Sequence, residues 1–392
     1  MGHRPNPYYV LEEKKLTMHK STLQVTMGDG ALEQLKNYTG GKIVIILDTY
    51  LMTTPMFQRL TTEILAGKDF KVICDVKAEP SYEAIDPFIP VIREYGPRYI
   101  LAIGGGSTMD TAKALWAFYE CPELTWDTIL TDLPDFPGKA TLITVPTTSG
   151  TGAEATGAAV YKKYDGTKAL LINQKIRPKE AFLDFSLLDS LPPKVIVNSG
   201  VDALAHVVEC YTSLKATDFS NMFALTGAKL IFENLVRAYE DPDDMEAKTA
   251  MMLGAFYGGV AITASGTTAV HALSYPLGGK FHIAHGVSNA ILFAPVMRCN
   301  RPACEKELAQ LCDAVYPECH GQSAEEKSLR VIAAIEDIIR RTDIPTDLKP
   351  YGVQPSDIDF LVTSGSQQRR LLDNNRKELT LEEIRAIYQS VL

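Results

Sequence analysis

Apolar residues fall in short unbroken runs through the first half of the chain and in helix-spaced stripes through the second. KIVIILD (Lys42–Asp48), FKVICDV (Phe70–Val76), RYILAIGGG (Arg98–Gly106) and ATLITVPTT (Ala140–Thr148) are β-branched runs bounded by turn residues. Three of them are apolar at consecutive rather than alternate positions, which predicts strands covered on both faces. Between the runs, Ser81–Glu94 and Thr108–Glu120 carry helical patterning. Strand and helix in alternation predict a doubly wound α/β domain with a mostly parallel sheet.

After Leu191-Pro192-Pro193 the pattern changes. Long amphipathic stretches follow at Val195–Ser213, Asn221–Tyr239, Asp244–Ala264, Ala303–Val315, Ala324–Thr342 and Leu381–Leu392, with no convincing strand among them. A proline pair restricts itself and its predecessor and so marks a boundary. The expected organisation is an α/β domain over residues 1–191 and an all-α domain over 192–392, as the length of 392 residues favours.

Composition narrows the class. An apolar fraction of 46% and a charged fraction of 22% are those of an ordinary globular protein. A net charge of −9 without a Lys/Arg cluster argues against nucleic acid as a partner. No apolar run approaches the roughly 20 residues that span a bilayer, and MGHRPNPYYVLEEKK lacks the apolar core of a secretory signal. The expected location is cytoplasmic. Seven cysteines agree, and Cys299, Cys304, Cys312 and Cys319 match no metal-binding spacing.

Two loops suit a phosphorylated cofactor. Gly104-Gly105-Gly106-Ser107 follows a predicted strand and opens a predicted helix, where free N–H groups favour a pyrophosphate. Ser107 and Asp110 form an S-x-x-D pair, the pattern of a helix cap. VPTTSGTGAEAT (Val145–Thr156) places the hydroxyls of Thr147, Thr148 and Ser149 directly after another strand. Either loop alone also suits an ordinary tight turn. Asp48 ends the strand KIVIILD, where a carboxylate accepts from ribose hydroxyls and repels a 2′-phosphate, favouring NAD(H).

The densest chemistry lies in DALAHVVEC and HALSYPLGGKFHIAHG. Only seven histidines occur in the chain, four of them here, and three of these, His206, His271 and His285, are spaced so that they could meet Asp202 around one ion. Asp202 and His206 are four apart, so on a helix they share one face. A carboxylate with three imidazoles suits Zn²⁺ or Fe²⁺, whereas Ca²⁺ prefers oxygens throughout. The plain alternative is a closed metal site that only braces the helical domain.

Taken together, GGGSTMDTAK, TVPTTSGTGAEAT, LLDSLPP, GVDALAHVVECYTS and HALSYPLGGKFHIAHGVSNAI resemble the iron-containing (group III) alcohol dehydrogenases from about Leu23 onward. The resemblance implies a dinucleotide-binding domain, a helical domain of the dehydroquinate-synthase type of architecture, and a catalytic metal between them. Its metal ligands fall on Asp202, His206, His271 and His285. Its cofactor contacts fall on Asp48, Gly104, Gly105, Gly106, Ser107, Asp110, Thr147, Thr148 and Lys168, with Lys113 in the same helix and Leu188 near the adenosine. The implied chemistry is NAD(H)-dependent interconversion of a short-chain aldehyde and its primary alcohol, in a homodimer or larger assembly.

One departure stands out. Many members carry a second histidine four residues after the third ligand, in HxxxHPLG, and this chain has Tyr275 there. His282 stands three residues before the last ligand. Proton exchange is therefore expected through His282, Tyr275 or a water they hold, with a packed or surface His282 as the plain alternative. The HALSYPLGG variant also resembles members acting on acid-bearing aldehydes, of the 4-hydroxybutyrate or sulfoacetaldehyde type. Lys280 and Arg298 are the cations expected to face such an acid group. The competing class is a lyase of the dehydroquinate-synthase type, which also uses NAD and a metal.

Overall fold

The computed structural model describes residues 22–73, 76, 77 and 80–392. Positions 74 and 75 of the strand expected over Phe70–Val76, and the first 21 residues of the expected first domain, lie outside the described residues.

Among the described residues, eight strands belong to the first part of the chain: β1 (Gln24–Met27), β2 (Ile43–Ile46), β3 (Phe70–Ile73), β4 (Tyr99–Gly104), β5 (Thr141–Pro146), β6 (Ala158–Lys162), β7 (Lys168–Ile172) and β8 (Glu180–Leu183). Six form one parallel sheet in the order β1-β8-β5-β4-β2-β3. Its helices are α1 (Pro55–Arg59), α2 (Tyr82–Ile85), α3 (Phe88–Tyr95), α4 (Gly106–Glu120) and α5 (Trp126–Thr131). Consecutive apolar residues serve opposite faces of the sheet. Val44, Ile46, Ile100 and Leu142 pack with Leu115 and Trp116 of α4, while Ile43, Ile45, Leu101 and Ile143 pack with Leu32, Leu60 and Leu65. This double burial is why the strands read as unbroken apolar runs.

Other elements were hidden from the pattern. β1 and β8 have only four residues each and begin on Gln24 and Glu180. β6 and β7 form an antiparallel hairpin across the Asp165-Gly166 turn, with alternating burial. The helix expected over Ser81–Glu94 is two helices, α2 and α3, separated at Asp86-Pro87. Pro87 has no N–H to donate, so the helical hydrogen-bond ladder is interrupted there.

From Pro193 onward the described residues contain helices and no strand. They are α6 (Pro193–Thr212), α7 (Asp218–Glu240), α8 (Met245–Ser265), α9 (Ala269–Phe281), α10 (His285–Val315), α11 (Ala324–Arg341), α12 (Ile358–Ser366), α13 (Arg369–Leu372) and α14 (Leu381–Gln389). Capping boxes start α7 at Thr217/Ser220, α11 at Ser323/Glu326 and α14 at Thr380/Glu383, satisfying N–H groups that a helix leaves unpaired. Pro193 occupies the first turn of α6, where its missing N–H costs nothing. α10 bends at Cys304, so the stretch expected over Ala303–Val315 is its second limb. α9 and the first limb of α10 escaped the pattern because Pro276, Gly278, Gly279 and Pro295 interrupt it. No helix of the described residues is long and apolar enough to cross a membrane.

The two parts meet across an apolar seam of Ala155, Leu183, Leu188, Met252, Phe256 and Val260. Lys248 on α8 is buried there, and its ammonium donates to the carbonyls of Leu188 at 3.0 Å and Asp189 at 2.8 Å.

Candidate active site

Three helices bring the predicted ligands together. Asp202 and His206 lie one turn apart on α6. His271 comes from the first turn of α9, and His285 is the first residue of α10. The short turn between α9 and α10 runs through His282, which closes α9 at φ 56°, and it folds the two histidines toward one another. Gly286 sets how closely α10 approaches α6, because a Cβ there would lie 1.8 Å from the Asn198 carbonyl oxygen.

The Nε2 atoms of His206, His271 and His285 lie 3.7, 3.5 and 3.5 Å from one oxygen of Asp202. Metal bonds of about 2.0–2.2 Å put the ligand atoms of a tetrahedral site about 3.4 Å apart, so this spacing fits a single divalent ion. The ligand atoms of Asp202, His271 and His285 all lie within 4.8 Å of one another, with His206 set slightly outside that group. His206 stacks on His271 at 4.7 Å between ring centroids. Asp202, His206 and His271 are buried, and the His285 side chain, 41% exposed, forms the open side.

Two residues that carried no expectation complete the cluster. Glu209 is fully buried on the same face of α6, one turn beyond His206. Its carboxylate contacts His271 Nδ1 and accepts from Val270 N at 2.7 Å, Thr268 Oγ1 at 2.8 Å and Thr268 N at 3.2 Å. It thereby turns His271 Nε2 toward Asp202, the carboxylate–histidine arrangement that orients metal ligands. Asn289, four residues after His285, donates to Asp202 Oδ1 at 2.7 Å. Their signals in the sequence are spacings: Asp202, His206 and Glu209 at i, i+4 and i+7, and His285 and Asn289 at i and i+4.

The electrostatics follow from this packing. Burial works to raise the Asp202 carboxyl, but His206, His285 and His271 outweigh it and hold it well below the usual range. Burial also opposes a charge on His271, yet Glu209 and Asp202 push it up to about 9. Burial keeps His206 below its ordinary value and pushes His285 the same way, so both favour the neutral, ligating form.

The loops expected to hold the cofactor stand beside this cluster. β2 has β3 on one side and β4 on the other, so the strand order reverses there, the place where open α/β sheets bind ligands. Asp48 follows β2, and Gly104, Gly105 and Gly106 leave β4 at the same edge. Asp48 is half-buried and accepts from Leu51 N at 2.9 Å. The glycine turn packs against the threonine loop. Thr147 N donates to the Gly104 carbonyl at 3.0 Å, and a Cβ on Gly105 or Gly106 would meet Thr148 or Thr151. The threonine loop in turn reaches the helical part, where Gly150 packs on Ser199 of α6 and its backbone faces His206.

Several expectations change. The Ser107/Asp110 pair does not cap α4, which starts at Gly106 with Gly105 as N-cap and no side-chain cap. The Asp110 carboxylate instead accepts from Val160 N at 2.9 Å, tying α4 to the hairpin, and burial pushes it up to about 6. Lys113 is fully buried, and its ammonium donates to the carbonyls of Ala153 at 2.8 Å and Ala158 at 2.7 Å, bracing the threonine loop. The Leu188 side chain is wholly enclosed in the apolar seam and presents no open face to an adenosine. Lys280 does not face the cluster: it pairs with Asp357 at 2.6 Å and lies over the Phe360 ring. Arg298 pairs with Glu336 on the surface. By contrast, exposed Lys168 on β7 lies beside Gly278 of α9 and bears on His285. The Tyr275 ring stands 6.0 Å from that of His285, and His282 is exposed in the turn just before it.

Family models match both parts of the chain: iron-containing alcohol dehydrogenase over residues 22–185, and the C-terminal part of the Fe-containing alcohol dehydrogenase family over residues 196–392. The chain belongs to the iron-containing alcohol dehydrogenase family. This enzyme is thus an oxidoreductase, and membership decides for the dehydrogenase reading over the lyase. The dehydrogenase is 33% identical to long-chain-alcohol dehydrogenase 1 of Geobacillus thermodenitrificans, covering 93% of this chain and 94% of that one. It is 31% identical to the NADPH-dependent butanol dehydrogenase of Clostridium saccharobutylicum, covering 93% and 95%. Among solved structures, the sulfoacetaldehyde reductase of Bifidobacterium kashiwanohense in complex with NAD+ superposes with a TM-score of 0.86 at 25% identity, covering 96% and 99%.

Proposed function

We propose that this dehydrogenase interconverts a short-chain aldehyde and its primary alcohol, with NAD(H) as hydride carrier and one Fe²⁺ or Zn²⁺ held by Asp202, His206, His271 and His285. The observation that carries the reading is the convergence of three imidazole Nε2 atoms on one Asp202 oxygen, beside loops suited to a dinucleotide. When bound, the cation supplies Lewis-acid polarisation of a carbonyl and the nicotinamide supplies the hydride.

The chain's own residues then have separate tasks. Gly104–Ser107 and Thr147–Thr148 cradle the cofactor phosphates, Lys168 approaches from β7, and Asp48 selects NAD(H) by accepting from the ribose. Glu209 keeps His271 oriented. Burial raises Tyr275 above the ordinary tyrosine value, so its hydroxyl stays protonated near neutral pH and serves as a donor. Tyr275 or His282 passes the proton between the substrate oxygen and solvent. A His282→Ala enzyme with unchanged activity and pH profile assigns that task to Tyr275.

The decisive experiment follows NADH oxidation with a panel of short-chain aldehydes, with chelator and with Fe²⁺ or Zn²⁺ restored. Turnover abolished by chelation and regained with either metal is expected. Undiminished turnover by the fully metal-free protein would overturn the proposal.

A further inference from the structure

Both loops proposed to hold the cofactor are fixed to one helix, α4. Its tip is the glycine turn, since the helix starts at Gly106 with Gly105 as N-cap. Two turns farther along, Lys113 reaches the other loop. An ammonium has three N–H donors, and the end of the threonine loop supplies three acceptors. These are the carbonyls of Ala153 at 2.8 Å and Ala158 at 2.7 Å, and Thr156 Oγ1 at 3.3 Å. Lys113 is fully buried, so it has no surface to offer a cofactor. Its charge is balanced by Asp110 one turn back, whose Oδ1 lies 3.9 Å from the ammonium.

The spacing between the two loops leaves little slack. A Cβ on Gly105 would lie 3.2 Å from Thr148 Oγ1, and one on Gly106 would lie 2.8 Å from Thr151 Cγ2, so the turn and the loop are in contact. Thr147 N ties the start of the loop to the Gly104 carbonyl at 3.0 Å, and Lys113 ties its end to α4. N–H···O bonds run from about 2.7 to 3.2 Å, so a pyrophosphate shared by both loops tolerates only about half an ångström of relative movement. A buried ammonium with three bonds to one segment holds it within that limit. Lifting the segment would leave a charge unpaired and away from water.

We infer that Lys113 is a positioning residue for cofactor binding. It touches no reacting group. By clamping residues 153–158 to α4 it sets the separation of the glycine turn and the threonine loop, and with it the affinity for the pyrophosphate of the dinucleotide. This rests on the NAD(H) reading proposed above and adds the residue that holds the cradle to its width.

The test measures NADH and ADP-ribose binding to metal-loaded native, Lys113→Met and Lys113→Met/Asp110→Asn proteins, by nicotinamide fluorescence and by calorimetry. The single change leaves Asp110 without its counter-charge, which endangers folding. The double change removes both charges and keeps an oxygen for Val160 N. In the double variant the Kd values for NADH and ADP-ribose should rise together by about ten- to a hundredfold, the cost of an ångström-scale misplacement. The loss should appear in KM for NADH rather than in kcat. Affinity for Fe²⁺ or Zn²⁺, measured by chelator competition, should stay that of the native protein. Unchanged NADH affinity overturns the role of Lys113 and leaves the dehydrogenase reading intact. So does an equal loss of NADH and metal affinity, or a double variant that does not fold, because either assigns Lys113 to the fold alone. A native protein that binds metal but neither NADH nor ADP-ribose would remove the dinucleotide reading itself, and this inference with it.

Discussion

Glu209 shows how much of this centre depends on a residue outside the ligand set. Its oxygens take donors from the Thr268 hydroxyl and from the backbone at the start of α9, and its last contact fixes the His271 ring. Replacement by glutamine keeps the size but removes the charge that holds His271 in place. We expect Glu209→Gln to weaken metal binding by about 10–100-fold, measured by competition with a chromophoric chelator. An affinity equal to that of the native protein would sink this role. The same pair sets a pH dependence. In the metal-free protein His271 is raised from 6.5 to about 9, so below that pH an entering cation must displace its proton. Metal affinity should therefore rise about tenfold per pH unit up to about 9 and level off beyond it. The sign for stability runs the other way. A charged His271 stabilises the metal-free fold most fully below 6.5, and that contribution is lost as pH rises through about 9. Metal titrations across this interval that release no proton would refute the assignment.

At the scale of elements, the site exists because backbones approach where side chains are missing. Gly152, at φ 59°, packs its Cα against Gly259 of α8, and a Cβ on it would lie 2.5 Å from the Gly259 Cα. Here the conformation and the close approach both demand glycine. Gly152→Ala should cost about 1–3 kcal/mol, as overpacking does, and should separate the threonine loop from the helices. Denaturant unfolding checks the first effect, and a raised KM for NADH checks the second. Unchanged values in both would show that the loop has room to move. The stretch HALSYPLGGKFHIAHG shows why pattern reading stopped short here. It spelled out two ligands plainly, but Pro276 and the glycine pair concealed that they sit on a helix at all. Only the packing of α9 between α6 and α10 overrides that local preference.

Across the whole molecule, the cluster belongs to the helical part and the loops proposed to hold phosphate belong to the sheet, and the threonine loop joins them at His206. Because the ligands come from three helices, a bound cation ties α6, α9 and α10 together, and it binds the native state in preference to the unfolded one. Chelation should lower the Tm measured by scanning calorimetry, and restored Fe²⁺ or Zn²⁺ should raise it again. At a free metal concentration 100 times the Kd the stabilisation is about 2.7 kcal/mol. A Tm indifferent to chelator would mean that the ligand cluster does not hold metal in solution.

The chain's own pattern determined the parallel sheet, the change to helices after Pro193 and the four residues proposed as metal ligands, because each depends on local periodicity or on residue types at fixed spacing. Tertiary structure alone decided the rest. It placed Glu209 and Asn289 behind the ligands, turned Asp110 and Lys113 from the cofactor toward the hairpin and threonine loop, enclosed Leu188, and took Lys280 away to Asp357. The physical reason is common to all of these. A charge's role depends on which partner lies within a few ångströms, and residues distant in sequence become partners only once the helices have packed.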